Sequence, residues 1–113
     1  MNDSCLFCKI IQGQIPATKL YEDNDVLAFA DVNPQAPTHF LVIPKRHLSG
    51  PSVATEADEA LLGKLMRVGA DIAKARGVEQ FRLVLNNGAE AGQTVFHLHL
   101  HVLGGRLMTW PPG

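Results

Sequence analysis

Polar and apolar residues alternate over residues 97–102, near the end of the chain, and Leu103 completes the segment 97–103. A period of two is that of a β-strand, because successive side chains point to opposite faces. The segment therefore predicts a strand with three imidazoles on one face and aliphatic side chains on the other. The histidines are His97, His99 and His101, and the aliphatic residues are Leu98, Leu100 and Val102.

Four further segments have the pattern of strands. Residues 19–22 and 26–30 flank a polar tripeptide and predict a hairpin. Residues 40–44 form an unbroken apolar run, which predicts a buried strand, and residues 81–85 predict the next one. Between them, the prolines of residues 33–38 predict irregular backbone.

Two segments have helical spacing. Residues 7–12 predict a short helix that a following glycine stops. Residues 56–76 predict the one long helix, because Thr55 and Asp58 resemble a capping box at its start and Gly77 suits the position after its C-cap.

The apolar face of the long helix is unusually wide. One stripe comprises Leu61, Leu65, Val68 and Ile72, and Leu62, Met66, Ala70 and Ala73 lie beside it. Gly63 and Gly69 each cost about 1 kcal/mol in helix stability, a cost easier to understand where another backbone comes close. The face is either plain core or the site of a second contact.

Length and composition describe one ordinary domain. The 113 residues are enough for a core without covalent staples. A net charge of −1 gives no electrostatic reason to expect nucleic acid or an anionic membrane as a partner. No 18-residue apolar run and no signal peptide are recognisable, so we expect a cytoplasmic protein.

The three histidines are the strongest candidates for chemistry. A lone histidine on a strand is usually a solvated or hydrogen-bonded residue, but three on one face are harder to dismiss. Histidines in this arrangement could hold a catalytic zinc that keeps an open position for water. Alternatively imidazole is itself the nucleophile, since its reference pKa of about 6.5 leaves it mostly neutral near pH 7.

A second candidate site begins at Cys5 and Cys8. A C-x-x-C pair in a reduced compartment is more often a metal or redox pair than a stable disulfide. A closed zinc site needs two more ligands, for which His47 and His97 are candidates. Thiols with no special role are the alternative.

Two polar segments could serve a ligand. Asp31 follows an apolar strand, where it could cap a turn or accept two hydrogen bonds from one partner. The loop of residues 86–94 is rich in glycine and small residues. Such a loop usually forms only a turn, but beside the histidines its backbone N–H groups would suit a phosphate.

The histidine alternation resembles the signature of the histidine triad proteins. Further segments that resemble the HINT branch of nucleotide-binding proteins are residues 31–44, 86–94, 104–106 and 110–113. The resemblance extends from Phe7 to Gly113. It implies a single α+β domain over residues 1–113, with an antiparallel sheet of about five strands, one long helix and one short helix. It also implies a homodimer in which two sheets join.

The activity that the resemblance implies is hydrolysis of purine nucleoside 5′-phosphoramidates at the phosphorus–nitrogen bond. His99 would attack the α-phosphorus and form a nucleotidyl-histidine that water cleaves. His101 would bind phosphate oxygens and help to protonate the leaving amine, with His97 completing the triad and His39 supporting it. The chemistry would need no cofactor, and the nucleophile interpretation is favoured over a catalytic zinc.

The resemblance also implies a set of nucleotide contacts. Asp31 would accept hydrogen bonds from the ribose, and Asn86, Gly92, Gln93 and Thr94 would contact phosphate. Phe7, Ile10, Ile15, Phe29, Val32 and Leu41 would form the walls of a purine pocket. A structural zinc on Cys5, Cys8, His47 and His97 is implied by some bacterial members. The tail at Trp110 would reach toward the partner's active site.

Three alternatives stay open at this point. One is hydrolysis of dinucleoside polyphosphates or nucleotidyl transfer, against which the Trp-Pro-Pro-Gly ending argues. Another is a nucleotide-binding regulatory protein whose catalysis is vestigial. The third is a metal-dependent hydrolase that uses the triad as zinc ligands.

Overall fold

The computed structural model describes residues 4–113, which form one five-stranded antiparallel sheet with two helices. The strands are β1 (Lys19–Glu22), β2 (Val26–Ala30), β3 (Thr38–Pro44), β4 (Phe81–Leu85) and β5 (Leu100–Gly104), and the helices are α1 (Leu6–Ile11) and α2 (Glu59–Ala75). The strand order is β1-β2-β3-β5-β4. The predicted α+β fold is therefore confirmed. No helix in residues 4–113 is long and apolar enough to cross a membrane.

The central strands are buried on both faces, which explains the unbroken apolar run in β3. Toward α2 the sheet presents Val26, Ala28, Phe40, Val42, Leu100 and Val102. Toward α1 it presents Leu27, Phe29, Leu41 and Ile43. The two helices thus cover opposite faces, and the small α1 leaves part of its face open.

The capping box and the end of the long helix lie where the sequence predicts them, but α2 begins at Glu59 and not at residue 56. Thr55 N donates to Asp58 Oδ2 at 2.9 Å, and Thr55 Oγ1 accepts from Ala57 N at 3.3 Å. The capping box starts a single 3₁₀ turn, Glu56–Asp58, before the α-helix proper. Gly77 has a φ of +79°, as expected of the left-handed residue that ends a helix.

The two helix glycines have different surroundings. A Cβ on Gly69 would lie 3.0 Å from Val102 Cγ2, so this glycine lets α2 pack closely on the sheet. The sequence favours the close approach of another backbone at the helix glycines. At Gly69 the close neighbours are instead side chains of the sheet. At Gly63 a Cβ would meet nothing within 4 Å.

The prediction of a continuous strand over residues 97–103 is wrong at its beginning, because β5 starts only at Leu100. Val42 pairs with Leu100, so the register would next bring Pro44 opposite Leu98. Pro44 has no N–H, and its carbonyl accepts from the His97 ring at 2.7 Å. Leu98 N donates instead to Leu48 O at 2.6 Å. The ladder therefore cannot extend to the first two histidines.

Strand β3 begins two residues earlier than expected, at Thr38. His39 therefore lies within the strand, opposite Leu103 of β5, and not just before it. Leu41, which is two residues further along β3 and on the same face as His39, lies opposite His101. His39 and His101 are thus on the same face of adjacent strands, close enough for their rings to interact.

Candidate active site

A cavity of about 390 Å³ lies between α1, the end of β2 and the histidine segment. Its walls include every apolar residue that the resemblance implied: Phe7, Ile10, Ile15, Phe29, Val32 and Leu41. Asp31, Thr94, His99 and His101 line the same cavity. Val32 is 99% exposed and forms only its rim. A larger, open cavity of about 560 Å³ beside Arg82 and Arg106 contains no nucleophile.

His99 is held in one protonation pattern. Its Nδ1 lies 2.7 Å from the carbonyl oxygen of His97, which can only accept, so Nδ1 carries the proton. The neutral ring then has its lone pair on Nε2. The ring of Phe7 packs against the His99 ring in a T-shaped arrangement, with the ring centroids 5.1 Å apart. The backbone carbonyl acceptor expected of a histidine nucleophile is therefore present.

His101 is linked to His39 by a hydrogen bond. His39 Nε2 and His101 Nδ1 are 2.9 Å apart, and Gln35 N donates to His39 Nδ1 at 3.0 Å. Since His39 Nδ1 accepts, the proton of the neutral ring is on Nε2, which donates to His101 Nδ1. The proton of His101 is consequently on Nε2. No group in residues 4–113 pairs with that nitrogen.

Both of these imidazoles are neutral near pH 7. Burial lowers the pKa of His101 to about 4, with further lowering by His99 and His39 that Asp31 partly opposes. Burial likewise lowers the pKa of His39, against the attraction of Asp31. Removing a cation from water costs more here than the carboxylate returns.

Asp31 has a structural and an open side. Oδ1 accepts from Asn33 N at 2.8 Å, which is the turn cap that the sequence allowed. Oδ2 lies 3.3 Å from His39 Nε2 and 3.9 Å from His101 Nδ1. The carboxylate is thus fixed at the edge of the cavity with acceptor capacity left for a ligand.

Asp31, His39 and His101 have the composition of a metal site. The hydrogen bonds argue against that use. With Nδ1 of His39 accepting from Gln35, ligation through Nε2 would require an imidazolate or the loss of that bond. We therefore interpret the trio as a hydrogen-bonded network.

The loop of residues 86–94 contributes less directly than expected. Gln93 Nε2 donates to Ser49 O at 2.6 Å and to Val95 O at 3.1 Å, while its Oε1 accepts from Gly88 N at 2.8 Å. The buried Gln93 amide is therefore used in shaping the loop. Asn86 and Gly92 lie beside each other but do not line the cavity, whereas Thr94 does.

Cys5, Cys8, His47 and His97 converge on one point. His97 Nε2 donates to Pro44 O, so the lone pair of its Nδ1 faces the cysteines. That Nδ1 is 3.5 Å from each sulfur and 3.1 Å from His47 Nδ1, and Cys8 Sγ is 3.3 Å from His47 Nδ1. A tetrahedral zinc requires about 3.6 Å between sulfur and nitrogen and about 3.4 Å between nitrogens. The four donors therefore fit such an ion.

The residue that sequence reasoning missed at the site is Gln35. Its contribution is a backbone N–H, and the acceptors at His97 and Pro44 are backbone carbonyls. Every residue has a backbone carbonyl and every residue except proline has a backbone N–H, so no residue type signals them. The irregular, proline-rich segment around Gln35 was the only indication.

We predict that His101 gives stability a specific pH dependence. Its native pKa of about 4 is below the unfolded value of 6.5, so only the unfolded chain is protonated between them. Stability is complete above pH 6.5 and falls as the pH falls toward 4, by about 1.4 kcal/mol per pH unit. Urea unfolding at pH values from about 7.5 to about 4.5 gives the free energy of unfolding as a function of pH. The slope of that function should be smaller in His101→Asn than in the wild type, by the equivalent of about one proton. Equal slopes would contradict the prediction.

The fold and the site together define an α+β protein that presents a row of histidines beside an apolar cavity. Residues 12–108 match the family model of the HIT domain. An uncharacterised HIT-like protein of Synechocystis is 58% identical over the full length of both chains. The chain therefore belongs to the HIT family.

Solved structures agree with that membership. A HIT family hydrolase from Legionella pneumophila is 50% identical, with a TM-score of 0.95 over 97% of this chain and 100% of its own. A histidine triad protein from Clostridium difficile is 41% identical, with a TM-score of 0.92 over 96% of each chain. The protein is thus similar over nearly its whole length to proteins named for the histidine triad.

Proposed function

We propose that this protein is a hydrolase of purine nucleoside 5′-phosphoramidates, cleaving the bond between phosphorus and nitrogen. The observation that carries the proposal is the hydrogen bond from His99 Nδ1 to the His97 carbonyl, which selects the tautomer whose lone pair is on Nε2, in a ring that lines the cavity. A neutral, oriented imidazole is the form that acts as a nucleophile. The names of the hydrolase relatives support the reaction type.

In the proposed first step, His99 Nε2 attacks the α-phosphorus and the phosphorus–nitrogen bond breaks. The electron pair leaves with the amine nitrogen, which takes a proton from water. In the second step, the oxygen of a water molecule attacks the same phosphorus, and the bond to His99 breaks with its electron pair returning to Nε2. The water proton neutralises the hydroxide from the first step, so the products are a nucleoside monophosphate and an amine.

His101 would act as a hydrogen-bond donor to a phosphoryl oxygen. Its Nδ1 accepts from His39, so a neutral His101 has one N–H, on Nε2. Giving that proton to the leaving amine would produce an imidazolate, which is why we favour phosphate binding over general-acid catalysis for this residue. One such donor is worth about 10²- to 10³-fold in kcat when it binds developing charge.

The nucleoside would occupy the apolar cavity. Aromatic and aliphatic walls suit the face of a purine, and Asp31 is placed to accept from ribose hydroxyls. Thr94 offers its hydroxyl from the same lining, whereas Asn86, Gly92 and Gln93 lie outside that lining. The nucleotide contacts that the resemblance implied thus divide into residues that line the cavity and residues of the loop.

We propose that Cys5, Cys8, His47 and His97 hold a structural zinc. Two thiolates and two imidazoles fill four positions, so the ion would be closed to water and would staple α1 to the end of β3 and to the histidine segment. His97 would then have two roles. Its ring would bind the metal, and its backbone carbonyl would accept the hydrogen bond from His99 Nδ1. No cofactor is needed in the reaction.

A homodimer in the cytoplasm completes the proposal. Strand β4 is a sheet edge with half-buried residues throughout, and on α2 Met66 is 54% exposed beside the open Gly63. We expect a second copy to cover these surfaces and to contact the exposed Trp110. Sedimentation should then give twice the chain mass of 12.3 kDa.

We predict that adenosine 5′-phosphoramidate is turned over at least about 100-fold faster, by kcat/KM, than a dinucleoside polyphosphate, because specificity is a difference in transition-state binding. Release of AMP would be followed by phosphorus NMR, with and without strong chelator. A preference for the dinucleoside polyphosphate would contradict the proposal and favour hydrolysis of dinucleoside polyphosphates. Loss of chemistry at once on chelation would favour a catalytic metal, and AMP binding without turnover would favour a regulatory protein.

A further inference from the structure

The segment between β2 and β3 is a short loop whose two ends both enter the site. Asp31 follows the first strand and His39 lies in the second, and the chain closes between them with Asp31 N donating to His39 O at 3.1 Å. From the middle of this loop, Gln35 N donates back to His39 Nδ1 at 3.0 Å. A surface loop thus sends one backbone donor to a buried imidazole.

Together with the Asp31 carboxylate, whose Oδ2 lies 3.3 Å from His39 Nε2, that donor decides where two protons are. Without it, His39 could exist with its proton on Nδ1, and Nε2 would then accept from His101 Nδ1. His101 Nε2 would lose its proton and become an acceptor. Such an acceptor repels a phosphoryl oxygen where the present arrangement offers a donor.

We propose that Gln35 is a positioning residue whose peptide N–H fixes the tautomers of His39 and, through it, of His101. The two hydrogen bonds in this relay are 3.0 and 2.9 Å long. The effect on the tautomers of the two rings does not depend on a substrate. Its effect on catalysis rests on the proposed function, in which His101 Nε2–H binds a phosphoryl oxygen.

The loop is fastened from the C-terminal side of the histidine strand. Arg106 Nε donates to Gln35 O at 2.9 Å. A Cβ on Gly105 would lie 3.0 Å from Pro37 Cβ, so the backbone there rests against the loop. These contacts hold the Gln35 peptide in place from residues that directly follow β5.

The first test measures the ring protons without substrate. Nitrogen NMR of the histidine rings at pH 8 should show His39 and His101 protonated on Nε2 in the wild type and in Gln35→Ala, which keeps the backbone N–H. Gln35→Pro removes that N–H and should place the His39 proton largely on Nδ1. An ester in place of the Pro34–Gln35 peptide makes the same deletion without a proline ring. Unchanged tautomers in both donor-deleted proteins would overturn the proposal.

The second test is a double-mutant cycle on turnover of an adenosine phosphoramidate. Gln35→Pro should lower kcat by about 10²-fold with KM within about threefold, since the lost donor acts in the transition state. A glutamine at position 39 has no tautomers and can keep its amide N–H toward His101. In a His39→Gln background, Gln35→Pro should therefore cost less than about threefold.

The outcomes of the two tests separate the inference from the proposed function. If Gln35→Pro lowers kcat equally in both backgrounds, the substitution has damaged the loop and the relay is wrong. If the wild type fails to cleave phosphoramidates but its tautomers respond as expected, the proposed function falls and the relay stands.

Discussion

Replacing His99 by asparagine should lower kcat for an adenosine phosphoramidate by at least about 10⁴-fold, because it removes the atom that forms the covalent intermediate in the proposed mechanism. Asparagine keeps a side-chain N–H that can reach the His97 carbonyl, which now accepts from His99 Nδ1 at 2.7 Å. Binding of AMP, measured by calorimetry, should change by less than about tenfold. Turnover and binding together would separate loss of chemistry from loss of the pocket.

The covalent intermediate should be visible directly. Intact-protein mass spectrometry during turnover, quenched without acid, should show a species heavier than the wild type by about 329 Da, the mass of one adenylyl group. His101→Asn is the matched control, since it keeps the nucleophile and should form the same adduct more slowly. An adduct that persisted in His99→Asn would assign the nucleophile to another residue.

Removing the proposed structural zinc should cost about 3–4 kcal/mol of stability, because an ion that binds only the native state stabilises it by mass action. Native mass spectrometry should find one zinc per chain in the wild type and none in Cys8→Ser. For a chain of 113 residues the loss corresponds to a decrease in Tm of about 12–18 °C. Chelation of the wild type should produce the same decrease.

His47→Gln provides the matched control, because it removes a donor of the same cluster from a different element. It should reproduce the loss of stability without touching either thiol. At temperatures where it is folded, kcat should stay within about threefold of the wild type, since the ion takes no part in the chemistry. A chain that binds no zinc, or whose Tm ignores a chelator, would contradict the structural role.

The local patterns of the sequence predicted most of the elements. The hairpin at residues 19–30, the capping box at Thr55 and the helix end at Gly77 came out as expected, since each depends on neighbouring residues only. The start of β5 did not. It depends on Pro44, which is distant in sequence but opposite in the sheet, and period-two alternation cannot detect a missing partner.

Residue types determined the chemistry that this protein has available: three alternating imidazoles, a cysteine pair and a carboxylate after an apolar strand. The tertiary structure decided which of them work together. It assigned His97 to the cysteines and His101 to His39, and it fixed the tautomers of His97, His99 and His39 through backbone groups at Pro44, His97 and Gln35. Backbone N–H and C=O groups are the same in nearly every residue, so only the folded chain can say which imidazole each one meets.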